Sequence, residues 1–264
     1  MTSGAAIVII AHEVDDYLTD LLAGLRRFCP AARTAWFDSG HDPRCAGVER
    51  IAASRPLAYA RVTPAFFEIF EWFAGTRASL LINVETDAAL IAPGYVPTVE
   101  RLLADADYMA SRYRAGTSTT SRWRPYRSLK PDLPELLDLL GVDQTDQAFS
   151  PGQVFSRRYV EALLSADWYP KLREFVTDNQ VRERSFTLQE VLLPTLARAL
   201  GLRARAYPAE WERYNRYRPY LAATAIGEAV SQGVSLVHPV RRDADDPARR
   251  LARSLACPDL QERK

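Results

Sequence analysis

The sequence predicts an α/β fold, a single domain on a mostly parallel central sheet, and three observations carry that prediction. Two runs, Ala5–Ala11 and residues 79–84, are apolar and rich in Ile, Val and Leu, the pattern of strands buried on both faces. Segments with helical spacing alternate with such runs through the first hundred residues, as stacked βαβ units require. The runs also end in polar groups, His12-Glu13, Asp38-Ser39-Gly40 and Glu85-Thr86-Asp87, and open α/β sheets bind ligands beyond the carboxyl ends of their strands.

The elements follow in order. After the first strand, Asp15 or Asp16 caps a helix whose Leu18, Leu21, Leu22 and Leu25 recur at helical spacing, and Pro30 follows its end. Residues 34–37 form a second strand. Segments 48–53 and 57–62 lead to Thr63, an N-cap with Pro64 at the first helical position, opening an aromatic helix over 65–74. The strand at 79–84 is followed by a helix over 96–104 and a short strand near 108–111. Residues 112–134, polar, aromatic and proline-containing, read as a long loop, a feature usually functional or mobile. Order resumes with 150–156, a helix over 157–166, a loop over 168–184, a helix over 188–200, a strand at 203–207 and an apolar segment at 234–237. The charged residues 243–264 read as a surface helix or frayed tail beyond a domain spanning 1–242, whose halves are 1–111 and 112–242.

Composition narrows the function. The chain has 264 residues, 47% hydrophobic and 25% charged, enough for a sizeable core. A formal net charge of +1 supplies no overall field to gather nucleic acid or an acidic membrane surface, so any anion site is local. Arginine is dense in 112–127 and 203–218, interleaved with tyrosine and tryptophan, which suits phosphate, sugar or base stacking as well as plain solvated faces. Cys29, Cys45 and Cys257 are odd in number and scattered, arguing for a reducing compartment. No run approaches the roughly 18 apolar residues of a membrane span and the start lacks a basic leader, so a cytoplasmic protein is expected. The first strand lacks a Gly-x-Gly-x-x-Gly turn and no Gly-x-Ser-x-Gly elbow occurs, which argues against a dinucleotide dehydrogenase and a serine hydrolase.

Glu85 and Asp87, two residues apart at a strand end, can both reach one hard cation, which in turn can bridge phosphate oxygens. The order Ile7-Val-Ile-Ile-Ala-His12, Trp36-Phe-Asp38-Ser-Gly40, then Leu81-Ile-Asn-Val-Glu85-Thr-Asp87 with Pro93-Gly94 resembles the nucleotide-binding half of GT-A-fold glycosyltransferases. The resemblance implies a Rossmann-type α/β/α sandwich and an inverting transfer of a sugar from a nucleotide diphosphate donor, UDP-type favoured, to a hydroxyl-bearing small-molecule or glycan acceptor. Carried over residue by residue, it puts Ala11, His12, Asp38 and Ser39 on the nucleoside. Glu85, Thr86 and Asp87 become the diphosphate element, holding Mn²⁺ or Mg²⁺, with Glu departing from the family's usual first aspartate. Gly152-Gln-Val-Phe-Ser156 is similar to the segment under the donor sugar, giving Gly152 and Gln153 to the donor and Phe155 and Ser156, with Arg112 and Tyr113 of the loop, to the acceptor.

Thr187-Leu-Gln-Glu190-Val-Leu-Leu-Pro194 resembles the helix start that carries the catalytic carboxylate, with Glu190 the base; its spacing from Thr187 equally fits a capping box. His238-Pro-Val-Arg241-Arg242 resembles the late histidine that completes some metal sites, with both arginines near the diphosphate. A bland alternative stands beside it, a histidine satisfied within the fold. Two readings remain open at this level: a metal-independent transferase that uses Arg241 and Arg242 instead, and a non-catalytic nucleotide-sugar or carbohydrate-binding protein.

Overall fold

The computed structural model describes residues 4–40 and 47–258; Cys45 and the last six residues of the charged tail lie outside them. The first half runs β1 (Ala5–Ala11), α1 (Asp16–Phe28), β2 (Arg33–Asp38), β3 (Glu49–Arg50), α2 (Thr63–Ala74), β4 (Leu80–Val84), β5 (Ala89–Leu90), α3 (Tyr95–Leu103) and β6 (Tyr108–Arg114). The second runs α4 (Arg124–Leu129), α5 (Leu133–Leu140), β7 (Gln147–Ser156), α6 (Arg157–Leu164), α7 (Tyr169–Val181), α8 (Gln189–Ala199), β8 (Ala204–Ala206), α9 (Ala209–Glu212), α10 (Ala223–Ser231), β9 (Leu236–Val237) and α11 (Pro247–Ala256).

Among the described residues, seven strands form the central sheet in the order β3-β2-β1-β4-β7-β6-β8. β7 runs antiparallel to both neighbours, while the remaining pairs, β1 with β2 and β4, β2 with β3, and β6 with β8, are parallel. The expected mostly parallel sheet is therefore present. Side chains alternate between two cores, as the pleat dictates. Ile7 and Ile9 face a layer with Leu18, Leu21, Leu25 and Trp36, while Ala6 and Val8 face Phe66, Phe70, Phe155 and Leu192 on the other side. Continuous apolar runs at β1 and β4 are what burial on both faces requires.

Local chemistry explains the boundaries. Asp15 caps α1, its Oδ1 accepting from the Tyr17 and Leu18 amides at 3.0 and 2.9 Å. Thr63, expected to cap α2, lies inside the helix instead and donates its hydroxyl to Gln189 Oε1 at 3.1 Å. The expected loop over 168–184 is helix α7, with Tyr169, Leu172, Val176 and Gln180 buried at helical spacing and a proline in its first turn. Much of the expected loop over 112–134 is also ordered, since β6 continues to Arg114 and α4 follows, again with a proline in the first turn. In the charged C-terminal stretch, α11 packs on α1, where Arg249 and Arg253 both donate to Asp20 at 2.8–2.9 Å.

Candidate active site at the carboxyl ends of the strands

The small antiparallel pair β5 and β9 brings Leu236–Val237 beside the segment that follows β4. The link continues past β9, where the Val240 amide donates to the Asp87 carbonyl at 2.8 Å. His238 is held between them. Its amide donates to the Tyr214 carbonyl at 2.8 Å, its carbonyl accepts from the Arg216 amide at 3.0 Å, and its ring meets Phe149 edge-on at 5.5 Å.

His238 Nδ1 lies 2.9 Å from the Arg216 carbonyl oxygen. A carbonyl only accepts, so Nδ1 carries a proton and a neutral ring presents its lone pair at Nε2. That atom is 2.9 Å from Asp87 Oδ1 and 3.8 Å from Glu85 Oε2. A lone pair aimed at two carboxylates is repulsive unless a proton or a cation lies between them. The three residues offer ligand atoms within 4.8 Å of one another, a mixed nitrogen and oxygen set suited to a divalent cation. With a proton there instead, burial lowers the His238 pKa, but the hydrogen bond and charge of Asp87 and the charge of Glu85 outweigh it and raise the net value. Burial pushes Asp87 up, and the hydrogen bond and charge of His238 and the charge of Arg242 bring it below the usual carboxylate range. Glu85 is raised, chiefly by desolvation in the cleft and also by Asp87, against the opposing charge of His238.

A bulge in β7 closes the cleft from below. Met109 of β6 faces Val154, but Ser111 faces Phe149, so the intervening residues of β7 bow out of the ladder. Gly152 has φ +75°, and a side chain there would press on Leu236 at 3.0 Å. Tyr207 donates to the Gly152 carbonyl at 2.7 Å and Asn215 to the Pro151 carbonyl at 2.9 Å, fixing the bulge. Its Ser150 amide donates to Glu190 Oε1 at 3.3 Å.

Glu190 does not close a capping box. The Thr187 amide that the box would engage donates to the Ala60 carbonyl, while the Thr187 hydroxyl sits 3.5 Å from Glu190 Oε2. The Glu190 carboxyl is buried, and burial and the charge of Glu85 push its pKa up to about 8 against the bonds from Ser150 and Thr187. It is a carboxyl poised to exchange a proton near neutral pH.

The other expected site residues divide. Thr86 lies between the two acids and accepts from Arg242 Nη2 at 2.7 Å, placing that guanidinium at the site. Arg241 turns away, toward Asp246 at 3.6 Å and the Tyr220 ring. At the β1 and β2 ends, the Ala11 carbonyl takes both the amide and hydroxyl of Ser39, and exposed His12 places Nδ1 3.1 Å from the Ser39 hydroxyl. Asp38 is 1% exposed, with Oδ2 on Arg50 at 2.7 Å and Oδ1 accepting from the Gly40 amide at 3.1 Å.

The remaining expected residues make contacts within the fold. Gln153 is fully buried and donates to the Tyr108 hydroxyl at 2.8 Å. Phe155 packs in the core against Phe66, Phe70 and Tyr159, leaving no surface for an acceptor, contrary to expectation. Ser156 caps α6 by accepting from the Tyr159 amide, and Tyr113 is tied to Asp146 at 2.9 Å. Arg112 adopts φ +55° with its amide on Glu212. Sequence reasoning missed Phe149, Ser150 and the Arg216 carbonyl. A carbonyl acts through its backbone position and leaves no trace in residue identity, while Pro151-Gly152 within a strand was the available sign of a bulge.

The sheet order, the single reversed strand and the acids beyond β4 define a GT-A-type fold. Among solved structures, the chain is similar to the glycosyltransferase GlyE of Streptococcus pneumoniae TIGR4, with a TM-score of 0.50 and 9% identity. That likeness covers 97% of this chain and 61% of GlyE, so the chain spans about three fifths of that relative, and at this identity the likeness speaks to the fold alone. Weaker likenesses are to an active-site mutant of LgtC (TM-score 0.48, 13% identity, 95% of each chain) and to the mannosyltransferase Ktr4p of S. cerevisiae (TM-score 0.41, 8% identity, 78% of this chain and 68% of that one). No protein-family model and no curated protein matches the sequence. No described helix is long and apolar enough to cross a membrane.

Proposed function

We propose that this chain is an enzyme that transfers a glycosyl unit from a nucleotide diphosphate sugar, of UDP type, to a hydroxyl acceptor with inversion. The observation that carries the reading is the convergence of Glu85, Asp87 and His238, with the histidine's other nitrogen pinned to a backbone carbonyl. Asp87, Glu85 and His238 would hold Mn²⁺ or Mg²⁺, which when bound neutralises the charge that grows on the departing diphosphate.

The residues of the chain do the rest. Arg242, steadied by Thr86 and 3.7 Å from Asp15, would turn an N–H group to a phosphate oxygen. The β7 bulge holds Glu190 through the Ser150 amide, within reach of the charge of Glu85. Its carboxylate form takes the proton from the acceptor hydroxyl, and a pKa raised to about 8 makes it a stronger base than an ordinary glutamate. Exposed His12, whose ring is held beside the buried Ser39 hydroxyl, is the nucleoside contact in this reading.

A thermal-shift panel of nucleoside diphosphates and their sugars, with and without Mn²⁺, tests it, because a ligand of the native state alone raises apparent stability. The expected result is stabilisation by one nucleotide family that grows with Mn²⁺ and collapses in EDTA, together with cation-dependent nucleotide release on adding acceptor. A second reading keeps the enzyme but relies on Arg242, which already stands beside Thr86 as a resident cation. Full turnover in chelator selects it. Tight nucleotide binding with no release from any donor, even to water, would make the chain a binding protein.

A further inference from the structure

The arginine- and tyrosine-rich stretch before β9 enters the chemistry above only through the Arg216 carbonyl, yet the fold fastens it beside His238. The segment leaving α9 is fastened at both ends to the chain that follows β9. Asn215 bridges to His238, the Arg216 amide donates to the His238 carbonyl at 3.0 Å while its own carbonyl accepts from the His238 ring, and the Leu221 amide donates to the Pro239 carbonyl at 3.0 Å. What lies between is thus presented on a fixed frame.

Two rings lead outward from His238. Phe149 meets it at 5.5 Å, and Tyr217 meets Phe149 edge-on at 6.4 Å while remaining 64% exposed. Beyond them Arg218 is layered between tyrosines, its guanidinium carbon 5.2 Å from the Tyr217 centroid and 4.1 Å from that of Tyr220. One of its nitrogens donates to the Tyr217 carbonyl at 2.9 Å and another to the Tyr220 hydroxyl at 3.0 Å. Nearby, Arg213 pairs with Glu228 at 3.1 Å and Arg241 with Asp246 at 3.6 Å, while Arg216 turns its Nε onto the Pro219 carbonyl at 3.0 Å. Among the described residues no carboxylate lies within 4.0 Å of Arg218.

From this arrangement we propose that Phe149, Tyr217, Arg218 and Tyr220 form the acceptor subsite and select an acceptor sugar that carries a negative charge, a carboxylate or a phosphate. The assignment rests on the glycosyl-transfer reading. Tyr217 offers the C–H face of a pyranose an exposed ring at little ordering cost. Arg218, oriented by two rings and two hydrogen bonds, has N–H groups left for an anion in a fork that lysine cannot reproduce. The donor diphosphate does not need it, because Arg242 occupies that side at Thr86, while Arg218 packs on Tyr217, whose ring meets the Phe149 that borders His238.

Binding of methyl β-glucoside, methyl β-glucuronide and methyl 6-phosphoglucoside, measured by saturation-transfer NMR and titration without donor, tests the assignment whether or not the chain turns over a nucleotide sugar. The expected result is binding of one or both anionic glycosides about tenfold or more tighter than the neutral one, as a hydrogen-bonded charge pair supplies. The preference should weaken with added salt. R218Q should erase the charge preference and R218K restore only part of it, while Y217A should weaken all three ligands. Circular dichroism confirms that these exposed-site variants are folded. Equal affinity for neutral and charged glycosides, no binding of any of them, or a preference that survives R218Q would overturn the proposal. Charge-selective binding by a chain that releases no nucleotide would uphold the subsite and remove the transferase reading instead.

Discussion

Asp38 at the end of β2 and Asp87 just beyond β4 stand on either side of β1, two acids at the same edge of one sheet, and the fold treats them in opposite ways. Asp38 is sealed, with one oxygen on Arg50 and the other on the Gly40 amide. Around it the chain is closed tightly, since a side chain at Gly40 would lie 1.7 Å from the His12 carbonyl oxygen. Asp87 keeps 22% of its side chain exposed, and its partner His238 is held by a backbone carbonyl in the orientation that a metal ligand needs. An acid after a parallel strand is therefore only half of a signal. Whether its charge is already answered within the fold decides between a structural turn and a ligand site.

The largest expected effect breaks the pair on the Asp87 side. Asp87→Asn keeps the volume and a hydrogen-bonding oxygen but removes the charge. Because cation stabilisation of a leaving group is worth several kcal/mol, transfer should fall by about a thousandfold. Single-turnover assays across a Mn²⁺ series read this directly. Activity within tenfold of the parent, with unchanged cation dependence, would leave Asp87 no better placed than Asp38.

The reciprocal substitution has a smaller effect of a different kind. Asp38→Asn leaves the Arg50 guanidinium without its carboxylate and should cost about 1–3 kcal/mol in urea unfolding. Donor affinity of the folded fraction should stay within a few-fold. An Asn variant of parental stability that binds nucleotide tenfold more weakly would instead make Asp38 a nucleoside contact and dissolve the contrast.

What the sequence disclosed follows the range of the interactions involved. Buried strands announce themselves locally, because Ile7, Ile9, Ile82 and Val84 must be apolar whatever the rest of the chain does. The three polar strand ends were legible for the same reason. Helix α7 was not, because its buried face includes Asn179 and Gln180, whose amides are satisfied by Asp132 and Ser185 rather than by any local pattern. The pairing of Asp87 with His238 spans 151 residues, and the lock on Nδ1 comes from the backbone of Arg216. Glu190 was ambiguous in sequence since Thr187 and Glu190 have capping-box spacing; the Thr187 amide's bond to Ala60 excludes the box.

The smallest expected effect applies the same contrast to Arg241 and Arg242, which sequence alone could not separate. Arg242 reaches Thr86, the Tyr17 ring and, at 3.7 Å, Asp15, whereas Arg241 reaches Asp246 at 3.6 Å and the Tyr220 ring, away from the two acids. Arg242→Ala should raise donor KM about tenfold, the worth of one charge-assisted hydrogen bond, with a similar loss when an isolated nucleoside diphosphate is titrated. Arg241→Ala removes an exposed pair worth about 0–1 kcal/mol and should leave donor KM within about twofold. The comparison turns on the ratio between the variants. If the two arginines prove equal, the diphosphate lies further from Thr86 than the Asp87 site requires; a clear excess for Arg242 fixes the donor against the same strand end as His238.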